Sequence, residues 1–80
     1  MRMFLADVGF GSLVAAEKIL AILAPDSSPV KRTVSEAREN GKLVDATYGR
    51  KTAAVLIMES DHVILSALPP ETLSERLKKE

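Results

Sequence analysis

The chain has 80 residues, with 11 Lys plus Arg against 11 Asp plus Glu, one histidine, no cysteine, no tryptophan, two Phe and one Tyr. That length and an ordinary globular composition, 46% apolar and 28% charged, predict a single domain over 1–80 and exclude a disordered or disulfide-stapled chain. The zero net charge removes any bulk positive field that would draw in nucleic acid.

A core of this size rarely supplies more than about 3–5 kcal/mol, so self-association is expected. Near the amino terminus, Arg2 is followed by an apolar stretch that Asp7 interrupts, which is not a secretory pattern. The longest apolar stretch, Leu13 to Ala24, is broken by Glu17 and Lys18 and falls short of the ~20 residues that span a bilayer. A cytoplasmic protein without a membrane partner is the expectation. No repeat or linker divides the chain, and Pro25 to Pro29 reads as an internal loop.

In chain order, a strand near 3–8 ends in the turn Gly9-Phe10-Gly11. The stretch 13–24 is ambiguous: its Ala, Leu, Glu and Lys favour helix, whereas Val14, Ile19 and Ile22 suit a buried strand. A helix over 29–40 is clearer. Ser28 serves as N-cap, Pro29 as the first helical residue and Asn40-Gly41 as the stop. Val30, Val34 and Ala37 form its apolar stripe, and charged residues occupy the other faces.

Three strands follow, near 43–48, 52–58 and 62–68. Their short separators predict antiparallel hairpins and therefore a meander. The middle run, Ala53 to Met58, is apolar at every position and wants cover on both faces. One face is expected to meet the helix, leaving the other for a second subunit. Pro69-Pro70 then opens a short helix over 70–79, anchored by Leu73 and Leu77 and expected to fray or to dock on a neighbour. The fold class is thus α+β, a small antiparallel sheet with one central and one C-terminal helix.

Catalytic and cofactor motifs are not convincing. Gly9-Phe10-Gly11 would place the third glycine of a dinucleotide fingerprint at Val14, and Gly41-Lys42 is followed by Leu43 in place of the Ser or Thr of a phosphate loop. Glu59, Asp61 and His62 read as a polar hairpin turn better than as a metal site, since a catalytic zinc needs three ligands with outer support. Ser12, Ser60 and Ser66 lack an evident activating partner. Asp45 is expected to make a local hydrogen bond or ion pair. No catalytic residue, metal, cofactor or small-molecule substrate is expected. Arg50-Lys51, two adjacent cations at a turn, are placed to meet phosphates, although such pairs often serve solubility alone. Lys18, within an apolar run, reads by default as a snorkelling surface lysine.

Four blocks in order, Gly9-Phe10-Gly11, Ser27 to Arg32, Asp45 to Thr52, and Ser60 to Ala67 followed by Pro70-Glu71-Thr72, resemble the bacterial RemA family, regulators of extracellular matrix genes. The likeness runs from about Phe4 to Leu77. It implies a homo-oligomeric ring, with an octamer as the reference state, that binds double-stranded DNA, controls biofilm or matrix genes and has a LytTR-like subunit. It also implies extended structure within 13–24. Carried over by position, the DNA-binding residues are Lys18, Arg50 and Lys51. The family commonly has arginine at the first of these; lysine keeps the charge and loses the planar fork. The rival reading is an oligomeric protein-interaction scaffold without DNA binding.

Overall fold

The apolar run of the sequence becomes the interior of a four-stranded sheet. In the computed structural model, which describes residues 5–77, β1 (Leu5–Asp7) and β2 (Leu13–Ala15) form a two-stranded ribbon. A 3-10 turn, Ala16–Lys18, leads into β3 (Ile19–Leu23), and α1 (Ser28–Glu39) follows. Then come β4 (Leu43–Asp45), β5 (Ala54–Met58), β6 (Val63–Ser66) and α2 (Pro70–Leu77). The main sheet has the order β3-β5-β6-β4. The α+β class therefore stands.

Alternation along β5 divides the core into two layers, because successive side chains point to opposite faces. Val55 packs with Val63, Leu65 and Ala37 on the α1 side, where Val30 and Val34 complete the predicted stripe. Ala54, Leu56 and Met58 pack on the other side with Ile64, Val8, Ala46 and Leu73. This second face corrects one expectation. The cover assigned to a second subunit comes from the chain itself: Val8 beyond β1, Val14 of β2 and Leu73 of α2, whose side chain is almost completely buried. Residues 78 and 79 of the expected last helix lie outside the described residues, as do 3 and 4 of the first strand.

Three further expectations change. The first is the meander. β5 and β6 do form an antiparallel hairpin, with Leu56 opposite Ile64, but β4 pairs in parallel with β6, Leu43 opposite Val63. The connection over residues 46–53 therefore straddles the end of β6: Ala46 N donates to Leu65 O (2.9 Å) and Ala53 N to Ser66 O (2.8 Å). A sharp, locally capped turn after β4 carries the chain around β6, so the 43–48 strand ends at Asp45 and the sheet is mixed.

Next is the 13–24 stretch: the extended structure implied there is present at both ends, as β2 and β3, and what changes is its continuity, since a 3-10 turn breaks it. The break lets the chain leave the ribbon and enter the main sheet. A register shift between Ile19 and Ala21 then leaves Leu20 exposed on a sheet edge. Third, the cap of α1 falls one residue earlier than read. Ser27 is in extended conformation and its hydroxyl accepts from Val30 N (3.4 Å), so the helix starts at Ser28 with Pro29 in its first turn. Asn40 and left-handed Gly41 (φ +71°) end it as read.

Candidate nucleic-acid interface

Arg50 and Lys51 lie exposed in the connection between β4 and β5. The turn that presents them begins with Asp45, whose Oδ1 accepts from both Thr47 N (2.9 Å) and Thr47 Oγ1 (2.6 Å). These two bonds, hydroxyl first, hold the Asp45 carboxyl below the ordinary aspartate range, with a smaller contribution from the Arg38 charge. Asp45 thus makes the local hydrogen bond that its type suggested. Arg50 N donates to Thr47 O (3.1 Å) to close the turn, which carries Tyr48 at φ +55° and Gly49 at φ +83°.

A closely related turn occurs a second time. Asp7 Oδ1 accepts from Gly9 N (2.7 Å), Ser12 N donates to Gly9 O (3.0 Å), Phe10 has φ +56° and Gly11 φ +82°. Aligned, the segments are Leu5-Ala6-Asp7-Val8-Gly9-Phe10-Gly11-Ser12 and Leu43-Val44-Asp45-Ala46-Thr47-Tyr48-Gly49-Arg50. A short internal repeat is therefore present where none was read from the sequence. Each copy is a strand ending in Asp, a buried small residue (Val8, Ala46), a left-handed aromatic and a glycine.

The two turns pack tip to tip. Phe10 and Tyr48 have ring centroids 5.8 Å apart at an interplanar angle of 40°, and the Arg50 guanidinium carbon lies 4.1 Å from the Phe10 centroid. Both rings remain exposed, Phe10 by 45% and Tyr48 by 64%. Left-handed backbone costs a bulky L-residue about 1–2 kcal/mol, so two adjacent aromatic residues in this conformation mark a built feature. Sequence reading singled out Arg50 and Lys51 but missed Phe10 and Tyr48 as their companions. The repeated Asp-x-x-aromatic-Gly spacing was the available signal.

Lys18 stands elsewhere. It ends the 3-10 turn, where its backbone carbonyl accepts from Glu59 N (2.7 Å) and its Nζ lies 3.3 Å from Glu59 Oε1. Glu59 follows the last residue of β5, whereas Arg50 and Lys51 precede the first, so roughly 15 Å of strand separates them. A single chain does not gather the three predicted cations into one patch. Among the described residues, ion pairs engage Lys18 and Arg76, the latter with Asp7 (3.7 Å), and leave Arg50 and Lys51 unneutralised. The Glu59-Asp61-His62 segment is a hairpin turn in which Ser60 Oγ and His62 Nδ1 share a hydrogen bond (2.7 Å). No acid or histidine cluster suited to a metal occurs among the described residues, and no helix among them is long and apolar enough to cross a membrane.

The sequence pattern of the RemA-like family, extracellular matrix regulatory protein A-like, matches residues 5–77. The chain belongs to this family. A relative from Halothermothrix orenii is 55% identical over 80 residues, covering all of this chain and 95% of that protein. One from Symbiobacterium thermophilum is 59% identical over 73 residues, 91% of this chain and 77% of the relative. A third, from Geobacillus kaustophilus, is 56% identical over 77 residues, 96% and 88% respectively. All three are named as candidate regulatory proteins. Family and names together point to a regulatory role in place of an enzymatic one. The twin turns of this RemA-like chain lie inside the matched span.

Proposed function

We propose that this protein is a DNA-binding regulator that acts as a homo-oligomeric ring, contacting the phosphate backbone of double-stranded DNA through Arg50 and Lys51, with Lys18 as a secondary contact. The observation that carries the reading is the tip itself: two exposed cations without acidic partners among the described residues, on a turn braced by aromatic rings, in a chain of zero net charge. The RemA-like membership and the regulatory names of the relatives support the same class. Control of extracellular matrix genes from the cytoplasm is part of this proposal.

A single copy would release about two or three counterions and bind weakly. Repetition of the tip around an octameric ring supplies the rest by avidity. The separation of Lys18 from the tip favours a surface assembled from several copies. Both edge strands are suited to self-association, since β3 exposes Leu20 and β4 exposes Val44. Contacts to phosphate position the duplex without reading bases, so sequence preference would come from bendability and groove shape.

The test is the mass of the assembly with and without a long duplex, followed by a gel-shift salt series. Arg50→Ala and Lys51→Ala are expected to weaken binding on every sequence and flatten its salt dependence while the oligomer stays intact. Parental binding by both variants at every salt concentration overturns the assignment of the contact to Arg50 and Lys51. A defined oligomer with no DNA binding at low salt supports the second reading, a protein-interaction scaffold, which the exposed edges Leu20 and Val44 also accommodate.

A further inference from the structure

We infer that Phe10 is a positioning residue that holds the Arg50 guanidinium ready for a phosphate, so that the first turn of the repeat serves as a platform for the second. This rests on the DNA-binding reading above and adds a residue to it from a distant part of the chain.

Phe10 adopts a conformation that self-contained stability does not explain. Phe10 is left-handed and remains substantially exposed, so neither backbone preference nor burial accounts for a large ring there. What the ring touches is specific: the Tyr48 ring on one hand and the Arg50 guanidinium on the other. A guanidinium over an aromatic ring is attracted by the ring's negative face. If it stacks there, its N–H donors point outward in its own plane and remain free for a phosphate. Holding the long side chain in place before the ligand arrives removes part of the ordering cost of binding.

The repeat supplies a second, independent observation. Position eight of the first copy is Ser12 and of the second Arg50. The left-handed aromatic and glycine recur in both, yet the cation occurs in one copy and leans on the aromatic of the other. Lys51, one residue on, has no aromatic contact among the described residues. The two cations of the tip are therefore unequal: Arg50 is braced and Lys51 is not.

The experiment is a double-mutant cycle read by gel shift or fluorescence anisotropy on a long mixed-sequence duplex at low salt. Phe10→Leu is expected to weaken binding about two- to fivefold for each engaged site. Its salt slope should stay that of the parent, because the Arg50 charge remains; Arg50→Ala should lower the slope. Phe10→Trp, which preserves the aromatic face, is expected to restore affinity. In the Arg50→Ala background Phe10→Leu should have no further effect. If Phe10→Leu lacks a cooperative thermal transition, Phe10→Asn takes its place, since asparagine tolerates left-handed backbone. Parental affinity in the ring-less variant, or an equal loss in both backgrounds, overturns the inference while the DNA reading stands. Parental binding by Arg50→Ala overturns the inference by removing the Arg50 contact, whereas no DNA binding by the parent at low salt overturns the DNA reading itself.

Discussion

At Asp45 a single carboxylate oxygen holds both the N–H and the hydroxyl of Thr47, whose side chain is buried although the aspartate is exposed. Because the carboxyl ionises more readily in the folded chain than in the unfolded one, it contributes stability above the unfolded value of about 3.9. That contribution is lost as pH falls through the lowered folded-state value. Asp45→Asn is therefore expected to melt below the parent at neutral pH by about 2–4 °C, a small figure because the group is solvated. The gap should close in strongly acidic solution, as thermal melts across the pH range would reveal. A gap that persists unchanged at low pH would mean that the turn depends on the shape of residue 45 and not on its charge.

Between elements, the decisive joint is Ser66 at the end of β6. Its buried hydroxyl donates to Val8 O (2.7 Å) and accepts from Leu68 N (3.1 Å), tying the stretch just after β1 to the main sheet. Ser66→Ala leaves both backbone groups without this partner and is expected to cost about 1–3 kcal/mol. Urea unfolding should report this as a lower midpoint with an unchanged slope. Such joints also explain what could be read in advance. The β5–β6 hairpin and α1 were legible because their signals are local: a short polar turn in one case, a Ser-Pro start and an Asn-Gly stop in the other. The parallel pairing of β4 was not, since it depends on a turn built from an aspartate bond and a left-handed tyrosine, neither of which composition announces. Nor was the break at Ala16-Glu17-Lys18, whose residues read as ordinary helix formers. At the site, Arg50 and Lys51 stood out through adjacency and resemblance. Phe10 did not, because its meaning comes from a ring and a cation far along the chain.

For the whole molecule, equal numbers of acids and bases matter less than how they are distributed. Lys18 is held by Glu59, while the cations of the tip lack such a partner among the described residues. Glu59→Gln would release Lys18 and remove one negative charge per copy, with little effect on stability because the pair is exposed. Tighter DNA binding with a steeper salt dependence is expected, measured by the same gel-shift series. Lys18→Ala in the parent should cost less affinity than Arg50→Ala. The reverse order would place the main contact at the other end of the sheet.

The hydroxyl of Ser66 and the carbonyl of Val8 are 58 positions apart in sequence, and this distance sets an order of events as well as a shape. Contacts between remote residues close late, because the loop they complete must first lose its freedom. A chain that has formed the β5–β6 hairpin but has not yet brought in the ribbon already carries the charges of Arg50 and Lys51. It does not yet have Phe10 beneath the guanidinium. A braced tip is therefore a mark of completed folding, and on the proposed function a partly folded copy would offer DNA a weaker hold.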